Sequence, residues 1–170
     1  MMTGTQQTVE GRPALRFERR LNHPVDRVWR AVTEPAELAR WFVSSEVSWT
    51  PKPGEVFEAL GETGRITELK PPNLIAWTWG VERYSFELAA DGEGCVLVFT
   101  HVFNPELGPG WQHAAGWETY LARLDAHLAG GFLSEEEAHG RINELLERYR
   151  EGFGADARGS GRLQDADEGL

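Results

Sequence analysis

The chain has 170 residues, of which 41% are hydrophobic and 26% are charged, and its formal net charge is −10. A chain of this length is typical of one domain with one substantial core. The acidic residues are spread along the sequence, so on average the protein repels nucleic acids and anionic membranes, and neither is an expected partner.

Cysteine and apolar patterns point away from disulfides, metal sites and membranes. Cys95 is the single cysteine, and no Cys/His zinc pattern or HExxH motif occurs. No segment approaches the roughly 18 apolar residues of a membrane span, and the amino terminus lacks the apolar run of a signal peptide. We therefore expect a cytoplasmic protein without a cofactor or a bound metal ion.

The amino-terminal part predicts a strand and two short helices. Residues 1–13 are polar and aperiodic, so we expect a flexible leader. Ala14 to Leu21 alternate apolar and charged residues, as a half-buried strand does. Pro24 and Pro35 each suit the first turn of a helix. The apolar positions of these helices are Val25, Val28, Trp29 and Val32, then Leu38, Trp41 and Phe42.

From Ser45 to Phe103 the apolar period changes to two, with turns rich in Gly, Pro and Asn. The connections are too short for a parallel crossover, so the strands form an antiparallel meander. The predicted strands are Glu46 to Trp49, Glu55 to Leu60, Thr63 to Leu69, Leu74 to Trp79, Arg83 to Ala89 and Cys95 to Phe103. Arg19, Arg65 and Glu87 are expected to face solvent, and any of them that points inward must be paired.

The stretch from Ala114 to Gly131 predicts a long amphipathic helix that covers the sheet. Its apolar stripe is Trp117, Leu121, Leu124 and Leu128, and Glu118, Arg123 and Asp125 are expected outside. Gly116 lies near its start, although glycine in a helix costs roughly 1 kcal/mol relative to alanine. Either the helix packs closely against a tryptophan such as Trp77 or Trp79 there, or it leaves the mouth of a cavity open.

A further helix is predicted over Glu135 to Arg150, with Ser134 and Glu137 as a capping box. Its stripe of Ile142, Leu145 and Tyr149 must be buried against this domain or on another chain, as in a homodimer. Residues 154–170 lack an apolar period, and we expect a disordered tail.

Several stretches together carry a family resemblance: LNHPVDRVWRAVTEPAELARWF, PKPGEVFE, LIAWTW, GCVLVFTHVF and GWETYLARLDAHL. The set resembles the activator of Hsp90 ATPase homologue domain of the START-like (SRPBCC) superfamily. The resemblance implies an α+β helix-grip fold, in which a curved antiparallel sheet wraps around the long carboxy-terminal helix and an apolar cavity. With the strands predicted above, this sheet is seven-stranded. We therefore expect a START-like domain at 14–131, and the further helix predicted above extends it as an appended segment at 132–153.

The candidate ligand-binding residues are those expected to line a cavity between the sheet and the long helix. They are Trp41, Trp77, Trp79, Phe86, Phe99, His101, His113, Gly116, Trp117, Tyr120 and Leu121. His101 alternates with Phe99 and Phe103, so it is either a titratable group facing the cavity or a hydrogen-bonded histidine near a strand end. No nucleophile or phosphate-loop motif occurs, and we assign no catalytic residue.

These patterns favour a binding protein that holds a small, largely hydrophobic molecule. Two alternatives stay open. One is an enzyme of the polyketide cyclase or hydratase type that uses pocket residues such as His101 or Tyr120 as acid or base. The other, implied by the resemblance, is an interaction protein with a chaperone partner.

Overall fold

The structure, a computed structural model of the chain, describes residues 4–42, 52, 54–59 and 62–154. Its elements in chain order are β1 (Gly4–Val9), β2 (Arg12–Leu21), α1 (Val25–Thr33), α2 (Pro35–Trp41), β3 (Val56–Ala59), β4 (Glu62–Lys70), β5 (Leu74–Trp79), β6 (Glu82–Asp91), β7 (Gly94–Val102), a short 3₁₀ helix (Pro105–Leu107), α3 (Gly110–Leu128), α4 (Glu135–His139) and α5 (142–154).

The described strands pair antiparallel in the order β1-β2-β7-β6-β5-β4-β3. Because side chains alternate along each strand, one face of the sheet collects the apolar residues. Two cross-strand rows dominate this inner face, and their members are at most 3% exposed. One row is Leu15, His101, Tyr84, Trp77 and Ile66, and the other is Phe17, Phe99, Phe86 and Ile75.

The two short helices form where they were predicted. Pro24 occupies the N-cap position of α1, and Asp26 lies in its first turn, where a negative charge suits the helix dipole. Pro35 opens α2. The indole N–H of buried Trp41 donates to the Ala31 carbonyl at 2.8 Å, which fixes α2 against α1.

Six predicted strands correspond to β2 through β7, with ends that differ by a few residues. The predicted strand at 46–49 lies outside the described residues. The leader prediction is wrong for Gly4–Val9, because these residues pair with β2 as an edge strand. The hairpin turn uses Glu10 and Gly11, with φ of 51° and 79°, and positive φ at both positions suits a tight two-residue turn.

The long helix α3 begins at Gly110, one turn before the predicted start. Asp125 is exposed as expected, but Glu118 and Arg123 are only 6% and 5% exposed, so their predicted outward position is wrong. Glu118 pairs with Arg19 of β2 at 3.1 Å, and Arg19 also pairs with Asp125 at 3.0 Å. A buried charge is tolerated where it is paired in this way.

The predicted single helix over Glu135 to Arg150 is divided into α4 and α5. Gly140 interrupts it, which agrees with the low helix propensity of glycine. Leu145, Tyr149 and Phe153 of α5 are buried in the core of this domain. The Tyr149 hydroxyl accepts from the Gly4 N–H at 2.9 Å and donates to Glu118 Oε2 at 3.0 Å. The stripe that suggested a homodimer is therefore covered within the chain.

None of the described helices combines the length and hydrophobicity needed to cross a membrane. In the same part of the chain, no cluster of three or more His, Cys, Asp and Glu side chains is placed to hold a metal ion. The tail beyond residue 154 lies outside the described residues.

The Tyr149 contacts predict how strongly α5 is held. Replacing Tyr149 with Phe removes a hydroxyl that bonds a backbone N–H and a buried carboxylate, so we expect the free energy of unfolding to fall by about 1–3 kcal/mol. Urea denaturation followed by circular dichroism measures this change. The control is Arg148→Ala, since Arg148 makes an exposed ion pair with Glu144 that contributes under about 1 kcal/mol. Equal stability of the two variants would contradict the assigned role of Tyr149.

Candidate functional site

The ring-bearing members of the predicted cavity-lining set form one aromatic cluster between the sheet and α3. Six residues of the whole set are buried: Trp41, Trp77, Phe86, Phe99, His101 and Leu121. The other five are partly exposed: Trp79, His113, Gly116, Trp117 and Tyr120. Sequence reasoning missed Phe42, Glu82 and Tyr84, although Tyr84 shares the period-two face of Phe86 and Phe42 belongs to the apolar set of the second helix.

Trp117 is the ring through which α3 reaches the sheet. Its centroid lies 4.7 Å from Phe99 and 5.8 Å from Tyr84, both edge-on, and it stacks on Phe42 at 5.6 Å. Edge-on and stacked rings at these separations attract each other beyond simple burial. Ring contacts through Trp117 thus connect α3 directly to the sheet.

A directional hydrogen-bond chain runs from Trp117 into the sheet. The Trp117 Nε1–H donates to His101 Nδ1 at 2.8 Å. An indole N–H can only donate, so Nδ1 must carry a lone pair and the proton of the neutral imidazole sits on Nε2. His101 Nε2 lies 2.9 Å from Glu82 Oε1 and therefore donates to it. These contacts assign His101 as the neutral Nε2–H tautomer.

Glu82 is the last acceptor in the series of hydrogen bonds that begins at Trp117. It receives three donors: His101 Nε2–H, the Tyr84 hydroxyl at 3.1 Å and the Asn104 backbone N–H at 3.3 Å. Burial raises the pKa of Glu82, but the hydrogen bond and charge interaction with His101, together with the bonds from Asn104 and Tyr84, outweigh it and the net direction is down. Burial, with the charge of Glu82 beside it, raises the pKa of Tyr84. Glu82 is therefore ionised and Tyr84 is a neutral donor.

The two inner histidines are both held towards the neutral form. Burial lowers the pKa of His101, and the weaker opposing effect of Glu82 does not restore it. Burial and the neighbouring His101 lower the pKa of His113, whose ring centroid lies 5.5 Å from that of His101. The Nε2 atom of His113 is buried without a hydrogen bond of good geometry. Burial also raises the pKa of the Cys95 thiol, so Cys95 is a poor nucleophile.

Gly116 faces open space. A Cβ built on this residue would meet no atom within 4 Å outside its own helix backbone and its chain neighbours. The prediction of close packing against Trp77 or Trp79 is therefore wrong, and the alternative, the mouth of a cavity at this point, stays a prediction. Tyr120, one turn further along α3, is partly exposed and contacts Phe42 and Trp117.

Arg123 fixes Phe42 at the edge of the aromatic cluster. Its guanidinium donates to the backbone carbonyls of Phe42 at 2.9 Å, Arg40 at 3.1 Å and Leu133 at 2.8 Å. Two of these carbonyls lie at the carboxy-terminal end of α2, where carbonyls lack helical partners. The residue thus ties α2 and the segment after α3 to one point on α3.

Two cavities in the described part of the chain lie away from this cluster. One, of about 350 Å³, lies between the start of α1 and the turns at residues 72–73 and 90–94. The other, of about 280 Å³, lies on the opposite face of the sheet over Ala76, Ser85 and Thr100. Neither is lined by α3.

The neutral state of His101 predicts a pH dependence of stability. In the unfolded chain the imidazole has its ordinary pKa of about 6.5, whereas the folded protein depresses it. Below that pH the unfolded state binds a proton that the folded state does not, so stability falls on acidification, by up to about 1.4 kcal/mol per pH unit. We expect His101→Gln to flatten this slope between about pH 7 and pH 5 in urea titrations. An unchanged slope would contradict the assignment, since His113 alone would then account for it.

Comparison with known proteins places this architecture in a family. The sequence model described as "Activator of Hsp90 ATPase homolog 1-like protein" matches residues 22–129, more than half of the chain. No curated protein sequence matches significantly. Among solved structures, CalU16 from Micromonospora echinospora aligns with a TM-score of 0.69 and 22% identity, over 89% of this chain and 94% of CalU16.

Two other solved structures share the fold. EF2215 from Enterococcus faecalis, described as a conserved protein of unknown function, aligns with a TM-score of 0.73 and 19% identity over 91% of this chain and 92% of that one. DynU16, described as a protein in the dynemicin biosynthetic locus, aligns with a TM-score of 0.60 and 25% identity over 70% of this chain and 48% of that one. The chain therefore belongs to the Activator of Hsp90 ATPase homolog 1-like family, with an α+β fold of the helix-grip kind.

Proposed function

We propose that this protein binds a small, largely hydrophobic molecule with aromatic character. The ligand lies in the space beside Gly116, against the partly exposed rings of Trp117 and Tyr120. Flat apolar molecules gain both burial and ring stacking on such a surface.

The free space at Gly116 is the observation that carries this proposal. A glycine inside a helix lowers stability by about 1 kcal/mol relative to alanine, and such a residue usually serves close packing. Here no packing partner lies within 4 Å of the missing Cβ. Space kept open beside aromatic side chains supports a role in admitting a ligand. The resemblance to DynU16, described as belonging to a biosynthetic locus, is consistent with a small-molecule ligand.

The hydrogen bonds of His101 weigh against the cyclase or hydratase alternative. A general base needs a free lone pair within reach of its substrate. The Nδ1 lone pair of His101 accepts from Trp117, and its Nε2–H is committed to Glu82. His101 therefore orients Trp117 and Glu82 and is not placed to exchange protons with a substrate. The chaperone-partner alternative stays a prediction that no contact of the described residues bears on.

Gly116→Ala tests the proposal through two opposite effects. We expect the free protein to gain up to about 1 kcal/mol of stability, because alanine fits the empty space and favours the helix. We also expect weaker binding of N-phenyl-1-naphthylamine, a neutral fluorescent hydrophobic probe, because the new methyl group enters the ligand space. Thermal unfolding and fluorescence titration measure the two effects.

Gly154→Ala is the matched control, because Gly154 is helical in α5 and also has nothing within 4 Å of an added Cβ. It should leave probe binding unchanged. Absence of probe binding to the unmodified protein would overturn the proposed function. If the Gly116→Ala variant and the unmodified protein bind the probe with equal affinity, the ligand does not bind beside Gly116.

A further inference from the structure

We infer that the ligand site selects by charge: Glu82 favours a ligand that presents a hydrogen-bond donor or a cationic group, and it disfavours a carboxylate. The inference rests on the proposed function and assigns Glu82 as the residue that determines ligand specificity.

The charge state of Glu82 follows from the direction of its hydrogen bonds. Trp117 forces the proton of His101 onto Nε2, so that histidine donates to Glu82. The Tyr84 hydroxyl and the Asn104 N–H are donors as well. A carboxyl group that receives three donors is stabilised in its ionised form.

This negative charge has no cationic counterpart among the described residues. The ion-pair contact that involves Glu82 is the one with His101, and His101 is neutral. By contrast, Glu118 is paired with Arg19, and Glu37 with Arg27. The groups that donate hydrogen bonds to Glu82 are thus all neutral. Its negative charge is not cancelled by them and acts in full on a ligand nearby.

Glu82 also retains capacity for one more donor. A carboxylate offers about four acceptor positions, two on each oxygen. Oε1 accepts from His101 and from Asn104, and Oε2 accepts from Tyr84. One position on Oε2 is therefore open within the described contacts, and a ligand donor would complete the set.

The position of Glu82 makes this group reachable. Glu82 is the first residue of β6 and shares a face of that strand with Tyr84 and Phe86, so it lies at the end of the inner face. Of its side chain, 12% is exposed. Trp79 is its cross-strand partner, and the Trp79 and Tyr84 rings lie 6.3 Å apart. Ring faces carry partial negative charge and attract cations, which adds to the preference that Glu82 sets.

A series of four probes with the same naphthalene ring tests the inference. The probes are 1-naphthylmethylammonium, 1-naphthol, 1-methylnaphthalene and 1-naphthylacetate, and their affinities are measured by calorimetry near pH 7. We expect the ammonium probe to bind at least about 10-fold more tightly than the carboxylate probe, with naphthol above methylnaphthalene. In Glu82→Gln this ratio should fall to within about 3-fold, while methylnaphthalene binding stays unchanged.

Glu87→Gln is the matched control, because Glu87 is exposed on the other face of the same strand and its loss changes the net charge equally. It should keep the probe preference of the unmodified protein. Glu82→Asp keeps the charge and should keep the preference, so it replaces Glu82→Gln if that variant does not unfold cooperatively.

The outcomes separate the two proposals. If no probe binds the unmodified protein, the proposed function fails. If the probes bind without a charge preference, if Glu82→Gln and Glu87→Gln behave alike, or if Glu82→Asp loses the preference, the selection by Glu82 is overturned and the proposed function stands.

Discussion

The hydrogen bond from the Trp117 indole to His101 joins the long helix to the sheet and sets the chemistry of the interior. The indole N–H can only donate, so it fixes the tautomer of His101 with the proton on Nε2. That tautomer makes His101 a donor to Glu82, and this bond favours the ionised form of the carboxyl group. The same indole packs against Phe42 and Phe99, so ring contacts keep it in place. One side chain of α3 thus fixes both the packing and the polarity of the inner face.

Buried charges on α3 hold the other elements around this centre. Arg123 satisfies carbonyls at the end of α2, and through them it positions Phe42 beside Trp117. Glu118 joins Arg19 of β2 to Tyr149 of α5. Breaking a buried pair by removing one partner is strongly destabilising, so such groups specify one arrangement of helices on the sheet. Glu118 and Arg123 were expected on the outer side of α3, and both are buried.

The candidate site combines an aromatic wall with one uncompensated carboxylate and an unfilled space at Gly116. Aromatic walls favour flat apolar ligands without regard to their substituents, whereas an ionised group in surroundings of low polarity discriminates between substituents. The arrangement around His101 suits recognition more than catalysis, since both ring nitrogens of that histidine are engaged by Trp117 and Glu82. Our proposals thus assign binding to residues of α3 and selection to Glu82 of β6.

The sequence by itself determined the elements whose pattern is local. Period-two alternation located six strands, the 3.6-residue period located α1, α2 and α3, and both together placed most of the ring-bearing residues on one face. Strand β1 was not predicted, because its polar sequence GTQQTV shows no apolar alternation and its strand conformation depends on pairing with β2. The tertiary structure alone decided which polar residues are buried. Arg123 meets Phe42, 81 positions away, and Tyr149 meets Gly4, 145 positions away, so no local window contains these partners. The tautomer of His101 and the open space at Gly116 also depend on the tertiary structure. The first requires the contact with Trp117, and the second requires that no distant segment packs against Gly116.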